Sequence, residues 1–313
     1  MSLKGFTRLG DSTLSNDLQE NIISYFDYHL LDMDGYVSVP VNTTGIYGGD
    51  DSRLRLVDDP RYASGQVWAA FRSNFVWESG LGALTSSNVT YPGVSGVFVN
   101  STFYAPSTTG AFAYHIDHPN GVVRFDTAIA VTSNVKCPFS YKYVTVARSA
   151  GLPWFKELHE RSERSDGDFA TQSGVYEALP ENRQGLPLIG IELAGRRITP
   201  YQLGGGQFVE TDFYCHCVAE DSYMRDALVD AVTYQTKASF KMYDLNTIAT
   251  ANAFPLDYRG VPVSGAKLFP ELCIAYGGRT VHLKDARLDS VYSLGRLQVG
   301  TVKITTEVIH NGV

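Results

Sequence analysis

The segment at residues 185–233 constrains the fold more than any other, because it joins two strand patterns, a glycine run and a helix pattern. Apolar residues at 188–193 predict a short strand, and the glycines at 204–206 interrupt the pattern where backbone freedom is needed. Residues 208–218 then predict a half-buried strand, with Phe208, Phe213, Cys215 and Cys217 assigned to one face and Tyr214, His216 and Val218 to the other. The sequence therefore predicts a β-hairpin with a long second strand.

An amphipathic helix is predicted directly after this hairpin. The run Ala219-Glu220-Asp221-Ser222 supplies capping oxygens and first-turn acids. Apolar residues then recur at spacings of three and four, at Met224, Leu228, Val229 and Val232. The distinctive features of the hairpin and helix all specify structure, and none of them is a reactive group for catalysis.

Length and composition indicate an ordered, strand-rich protein. The chain has 313 residues, which is long for one compact domain and suits two. Hydrophobic residues make up 44% and charged residues only 19%, so there is enough apolar surface to offset the entropy of folding. Nineteen tyrosines and 29 glycines favour short strands joined by turns. We therefore expect an α+β fold.

Four segments are predicted along the chain. An N-terminal helix within residues 1–31 is indicated by Leu18, Ile22, Phe26 and Leu30, which recur every four residues. Short alternating runs and glycine turns then predict a β-sandwich-like domain. A polar surface crossing follows, and an α+β assembly module ends the chain, in which the amphipathic helix packs on an antiparallel sheet. These last three segments are predicted at residues 32–150, 151–184 and 185–313.

Two local patterns support these assignments. Pro119-Asn120-Gly121 has the composition of a tight turn, and residues 114–125 on either side of it predict the clearest hairpin of the chain. Near the end of the chain, alternating runs predict two closing strands, the first from Val281–Leu283 with Leu288–Leu294 and the second at Leu297–Ile309.

Two parts of the sequence resemble structural proteins of tailed bacteriophages. Residues 187–193, the LGGG at 203–206, the strand at 210–218 and the helix start after it are similar to the core of tail-terminator and neck proteins. The runs VSGVFVNSTFY and HIDHPNGVVRFDTAI, at 94–104 and 115–129, resemble segments of uncharacterised structural proteins in contractile-tailed phages, including those infecting cyanobacteria.

The resemblance implies a non-enzymatic structural protein of the virion, at the neck or the top of the tail. Such a protein forms a ring of six or twelve copies, which completes the tail and joins it to the head. The implied partners are further copies of the chain and the tail tube, sheath, portal or connector proteins. Genome DNA would pass through the ring without specific binding. Assembly would take place in the host cytoplasm, with no membrane involved.

Contacts between subunits or with a partner are predicted at two places. One is the glycine-containing excursion, which is the segment between the two predicted strands of the hairpin, and the other is the last strand. The basic pair on the excursion could meet acidic faces of a neighbour, and a solvated surface is the alternative for these charges. The predicted contact residues are Arg196, Arg197, Tyr201, Leu203, Gly204, Gly205, Gly206, Val302 and Ile304.

The charge of the chain argues against a protein that coats nucleic acid. The formal net charge is −7 and the sequence pI is about 5.5, whereas phosphate neutralisation requires clustered lysine and arginine. An acidic ring would let DNA slide through it. The alternative is that a charge of −7 is ordinary for a soluble surface.

No motif for catalysis, a cofactor or a metal is found. The glycines at 204–206 are not followed by the Gly-Lys-Ser/Thr of a phosphate loop, and no G-x-S-x-G is present. A zinc site formed by Cys215, His216 and Cys217 is the alternative to buried thiols, but the spacing between the two cysteines is not the usual one for zinc ligands. We therefore predict no enzyme activity, no cofactor and no metal.

Two other functions stay open at this point. The tyrosine-rich segment at 32–150 could form an adaptor that binds a fibre, a collar or a host-surface carbohydrate. A hydrolase of unknown type is the enzymatic alternative. No apolar run approaches the ~18 residues that a membrane-spanning helix needs.

Overall fold

The computed structural model describes residues 14–45, 49–78, 93–106, 109–149, 158–159, 184–200, 206–294 and 297–311. In this part of the chain the protein is a mixed α+β structure in which strands predominate, and the predicted α+β class is confirmed. The described helices are α1 (Leu14–Asp32), α2 (Ser222–Thr233), α3 (Leu245–Ala251) and α4 (Phe269–Tyr276).

Most of the longer strands belong to one sheet of six. The described strands are β1 (Tyr36–Val39), β2 (Arg55–Leu56), β3 (Val67–Ala69), β4 (Val97–Val99), β5 (Thr102–Tyr104), β6 (Tyr114–Asp117), β7 (Val122–Phe125), β8 (Val135–Lys136), β9 (Phe139–Lys142), β10 (Thr145–Arg148), β11 (Leu158–His159), β12 (Gln184–Gly185), β13 (Leu188–Pro200), β14 (Gly206–Ala219), β15 (Ser239–Tyr243), β16 (Gly277–Leu294) and β17 (Leu297–Asn311). The large sheet has the order β10–β13–β14–β17–β16–β15. Its neighbours are antiparallel except β10 and β13, which are parallel.

Helix α1 covers part of one face of this sheet. Leu18, Ile22 and Phe26 are at most 3% exposed and share a hydrophobic core with the sheet. Each such side chain contributes about 1.5–3 kcal/mol when it is fully buried. The predicted N-terminal helix is therefore present, and it belongs to the same core as the C-terminal sheet.

Helix α2 covers the same face and follows β14 directly, as predicted. Asp221 caps it, because its side chain accepts a 2.8 Å hydrogen bond from the Met224 backbone N–H. The helix buries Leu228, Val229 and Val232. Gly300 on β17 lies under it, and a Cβ there would stand 2.6 Å from Cγ2 of Val229. Glycine thus allows the helix to lie close to the strand.

The closing strands are longer than the sequence pattern predicts. The runs at 281–283 and 288–294 belong to one strand, β16, which pairs with β17 from Val281 to Leu294. Irregular register after Leu283 and after Leu288 lets this strand continue. The prediction of two closing strands is confirmed, and the bulges shift the alternation within the first of them without ending the pairing.

The β-rich segment forms several small sheets around a second hydrophobic core. Its described sheets have the orders β1–β9, β2–β3–β7–β6 and β5–β4–β8. The predicted hairpin at 114–125 is confirmed as β6 and β7, and Gly121 in its turn has a φ of 65°.

Specific contacts join this segment to the sheet and its helices. The Arg72 guanidinium donates a 2.9 Å hydrogen bond to the Leu186 carbonyl. Lys142 donates 2.6 Å hydrogen bonds to the carboxylates of Asp27 on α1 and Glu78. Burial would lower the pKa of Lys142, but the two carboxylates raise it above its ordinary value, so this lysine stays charged.

Candidate functional site

Each of the two long hairpins of the large sheet has a segment that is largely exposed. Strand β13 is buried from Leu188 to Ile191 and mostly exposed from there to Pro200. Strand β16 is buried at Val281, Leu283 and Ala286, whereas residues 287–293 are exposed. These hairpin ends are therefore the part of the sheet that is left open.

Each hairpin has one outer edge whose backbone meets no other described strand. Strand β10 pairs with β13 only as far as Ile191, and residues 192–200 continue past it; we call them the β13 edge. Strand β15 and the residues before it bond to β16 as far as Ala286, and residues 287–294 continue past them; we call them the β16 edge. The two edges lie on opposite sides of the sheet, at opposite ends of its strands.

Both edges carry exposed apolar side chains. On the β13 edge, Leu193 is 41% and Ile198 is 52% exposed. On the β16 edge, Leu288 is 48% and Val291 is 47% exposed, and Tyr292 is 41% exposed. A strand edge with aliphatic side chains beside it is a template for pairing with another chain.

The strand register places four of these side chains on the helix-covered face. Residues that pair directly across antiparallel strands point to the same face. Ile198 pairs with Val209, and Leu288 pairs with Val302, both of which are buried. The same register puts Leu193 and Val291 on this face, where they are 41% and 47% exposed.

The opposite face of the sheet is polar, and its charges pair with one another. Glu210 on β14 accepts hydrogen bonds from Arg197 on β13 and Lys284 on β16, so it links three strands of the sheet. The hydrogen bonds from Lys284 and Arg197 lower the pKa of Glu210 below its ordinary value.

A second charged group lies beside it on the same face. Burial by itself would raise the pKa of Asp212, but hydrogen bonds from Lys303 at 2.8 Å and Thr305 at 2.7 Å lower it overall. Further along, His216 lies 2.9 Å from a carboxylate oxygen of Glu192. Arg197, Lys284 and Lys303 on this face are thus each paired with a carboxylate of the same subunit.

The predicted contact residues fall into three groups. Arg196 and Arg197 are exposed on the β13 edge, where Arg196 donates a 3.3 Å hydrogen bond to Thr211. Gly206 is buried and begins β14, opposite Asn311. The remaining predicted residues of the excursion, at 201 and 203–205, lie outside the described residues.

Val302 and Ile304 are not available for the contact that was predicted for them. Both side chains are fully buried in the core of the subunit. Their strand, β17, has β14 on one side and β16 on the other, so its backbone is paired on both edges. The last strand is central to the sheet, and the expected contact is contradicted at these two positions.

The sequence prediction missed the β16 edge. Leu288, Val291 and Tyr292 were assigned to the first of the two closing strands, and no partner contact was predicted for them. A signal for a longer strand was present, because no glycine or proline interrupts residues 279–294. The exposure of its second half depends on where β15 ends, which is a property of the tertiary structure.

The alternative zinc site does not form. Cys215 and Cys217 pair with Val302 and Gly300 on the helix-covered face, whereas His216 lies on the polar face. Burial raises the pKa of Cys215 well above its ordinary value and that of Cys217 to about 12. Both thiols are therefore protonated core side chains, and the three groups do not converge on one ion.

A wider search of the described residues gives no group of three or more His, Cys, Asp or Glu side chains placed to hold a metal ion. None of the four described helices is both long and apolar enough to cross a membrane. Comparisons with protein-family models, with curated proteins and with solved structures each found no match to this chain.

Proposed function

We propose that this chain is a structural protein of a tailed-bacteriophage particle, which assembles with copies of itself into a ring at the neck or the top of the tail. One observation carries the proposal: the two long hairpins expose different strand edges on opposite sides of one sheet. The place in the particle rests on the sequence resemblance to neck and tail-terminator proteins.

The arrangement of the edges favours a ring over a two-fold dimer. Exposed strand edges with aliphatic side chains are usually covered in a working protein, because they otherwise cause aggregation. Here the two edges differ in sequence and position, so an interface that uses both is head-to-tail. Head-to-tail interfaces close into rings when the rotation between copies divides a full turn.

The polar face suits the wall of a channel through which DNA passes. Binding to the phosphate backbone requires cations that are free to replace counterions. On this face Arg197, Lys284 and Lys303 are each held by a carboxylate of the same subunit. The net charge of −7 per subunit adds repulsion, so DNA would move past without specific binding.

In this proposal the protein completes the tail and joins it to the head, and it makes or breaks no covalent bond. Its partners are the tail tube, sheath, portal or connector proteins, and its location is the virion, which assembles in the host cytoplasm. Each interface between copies should bury more than about 1,000 Å² to be stable.

Native mass spectrometry and negative-stain imaging of the full chain test the proposal. We expect a closed ring of six or twelve copies, and binding of that ring to purified tail tubes or portals. A protein that stays monomeric over a wide concentration range and binds neither partner would contradict it.

A further inference from the structure

We infer that the β13 edge of one copy pairs antiparallel with the β16 edge of the next copy, so that the six-stranded sheets join into one. This inference rests on the proposed assembly of the chain with itself. It identifies the partner of each edge as a second copy of the chain.

The strand directions permit this pairing without inverting the second copy. Strands β13, β14, β17 and β16 alternate in direction across the sheet. A strand added outside β16 in the antiparallel sense therefore runs in the direction of β13. The β13 edge of a second copy in the same orientation meets this requirement, so the sheet order repeats from copy to copy.

The two edges match in length. Residues 192–200 and 287–294 each span about 25–30 Å at ~3.3 Å per residue. They lie at opposite ends of the sheet, so the second copy must shift along the strands to bring them together. A constant shift of this kind is what a sheet needs in order to close on itself. Because of this shift, the copies cannot lie side by side in a flat sheet, and the joined sheet is favoured to close into a ring.

The side chains beside the edges also match. When two strands pair, side chains on the same face become neighbours. The exposed aliphatic residues of both edges lie on the helix-covered face, so pairing puts Ile198 beside Leu288. Their exposed surface would leave water, at about 25 cal/mol per Å² of apolar area.

One pair of charges next to this apolar pair is complementary. With Ile198 opposite Leu288, the antiparallel register brings Arg197, which Glu210 of the same copy also binds, next to Asp289 of the neighbouring copy. Both side chains belong to exposed residues of the single subunit. In contrast, pairing of two copies of the β13 edge would bring Arg196 and Arg197 of one copy toward those of the other, and like charges oppose this arrangement.

Disulfide cross-linking tests the pairing directly. The double variant Ile198→Cys with Leu288→Cys places a thiol on each edge, and copper phenanthroline serves as the oxidant. Within one copy β14 and β17 lie between the two positions, a separation of about 14 Å from three strand spacings. A disulfide needs Cα atoms within ~7 Å, so a bond can form only between copies. The four native cysteines are buried.

We expect the double variant to give a ladder of covalent multimers on non-reducing gels. An equal mixture of the two single variants should give covalent dimers, and each single variant alone should give at least tenfold less. The matched control is Ile198→Cys with Ile309→Cys, since Ile309 is 41% exposed but lies on the central strand β17. It should cross-link no more than Ile198→Cys alone.

The outcomes separate this inference from the proposed function. Rings in native mass spectrometry without cross-linking would overturn the edge pairing and leave the ring standing. Equal cross-linking of a single variant with itself would show two-fold pairing of like edges and would also overturn it. Cross-linked open filaments would support the edge pairing and contradict a closed ring.

A second pair of variants covers the case in which the cysteine proteins fail to fold. Ile198→Lys and Leu288→Lys each put a charge beside one edge, which opposes pairing there. We expect at least tenfold weaker self-association for each, with an unchanged circular dichroism spectrum. Ile309→Lys should assemble as the unmodified chain does, and equal assembly of all three variants would contradict the inference.

Discussion

The helix-covered half of the large sheet and the projecting ends of its hairpins follow the same strand pattern in different surroundings. On β14, Phe213 lies under the helices and is fully buried, whereas Phe208, five residues away in the projecting end, lies on the opposite, polar face and is half-buried. In the covered half, alternation separates core from polar surface. In the projecting ends it leaves aliphatic residues such as Ile198 exposed.

This difference indicates that the two halves are stabilised in different ways. The covered half gains free energy from burial within one subunit, and its stability should be a property of the monomer. The edge strands of the projecting ends bury less apolar surface within the subunit. Their stability therefore depends on pairing within their hairpin and on the copy or partner protein that covers them. Variants in the covered half should change folding, and variants at the ends should change assembly.

The largest contrast is expected between the two phenylalanines of β14. Phe213→Ala removes a fully buried ring and should lower the free energy of unfolding by about 3–5 kcal/mol. Phe208→Ala should lower it by about 1 kcal/mol or less, because the side chain already meets solvent. Urea denaturation of both variants measures the difference. Equal losses would show that the projecting end carries a core of its own.

A buried charged group should behave like the core. Lys142→Met leaves Asp27 and Glu78 without their cation, and loss of one partner of a buried ion pair costs about 3–5 kcal/mol. Burial raises the pKa of Glu78, so this carboxyl takes up a proton readily and the cost should shrink as the pH falls. Urea denaturation across a pH series checks both statements. A constant cost at all pH values would contradict the role given to Glu78.

Two glycines give a matched pair with a smaller expected effect. Gly300→Ala forces a methyl group against Val229 of α2, and crowding of this kind costs about 1–3 kcal/mol. Gly195→Ala on the β13 edge meets no atom within 4 Å, and it should be neutral or stabilise by up to about 1 kcal/mol. Thermal unfolding of the two variants distinguishes the cases. Destabilisation by Gly195→Ala would mean that the edge is closely covered.

Local patterns explain why several elements of the fold could be predicted from the sequence. The four-residue spacing of Leu18, Ile22 and Phe26 identified α1, and Asp221 marked the start of α2. The turn at 119–121 identified the hairpin of β6 and β7. In each case the signal lies within a few residues of the element that it specifies.

The candidate site was harder to predict because it depends on distant pairings. Alternation marked Val302 and Ile304 as strand residues, but not that β17 lies between two neighbours and is closed to partners. Similarly, nothing near Leu288 and Val291 shows that β15 ends before them. Pairing between residues far apart in the sequence decides which strand lies at an edge. The periodicity of one strand does not show whether that strand is at an edge or in the centre of the sheet.

The smallest effect is expected for the exposed charges of the polar face. Hydrogen bonds from Lys284 and Arg197 lower the pKa of Glu210, so its contribution to stability is present above the unfolded-state pKa and is lost as the pH falls through the lowered value. Glu210→Gln should therefore unfold slightly more easily than the unmodified chain near neutral pH, and the two should converge in acid. Urea denaturation at both pH values measures this. A difference that persists in acid would show that the glutamine disturbs packing. In that case the charge pairing of Glu210 would not be what stabilises the projecting hairpins.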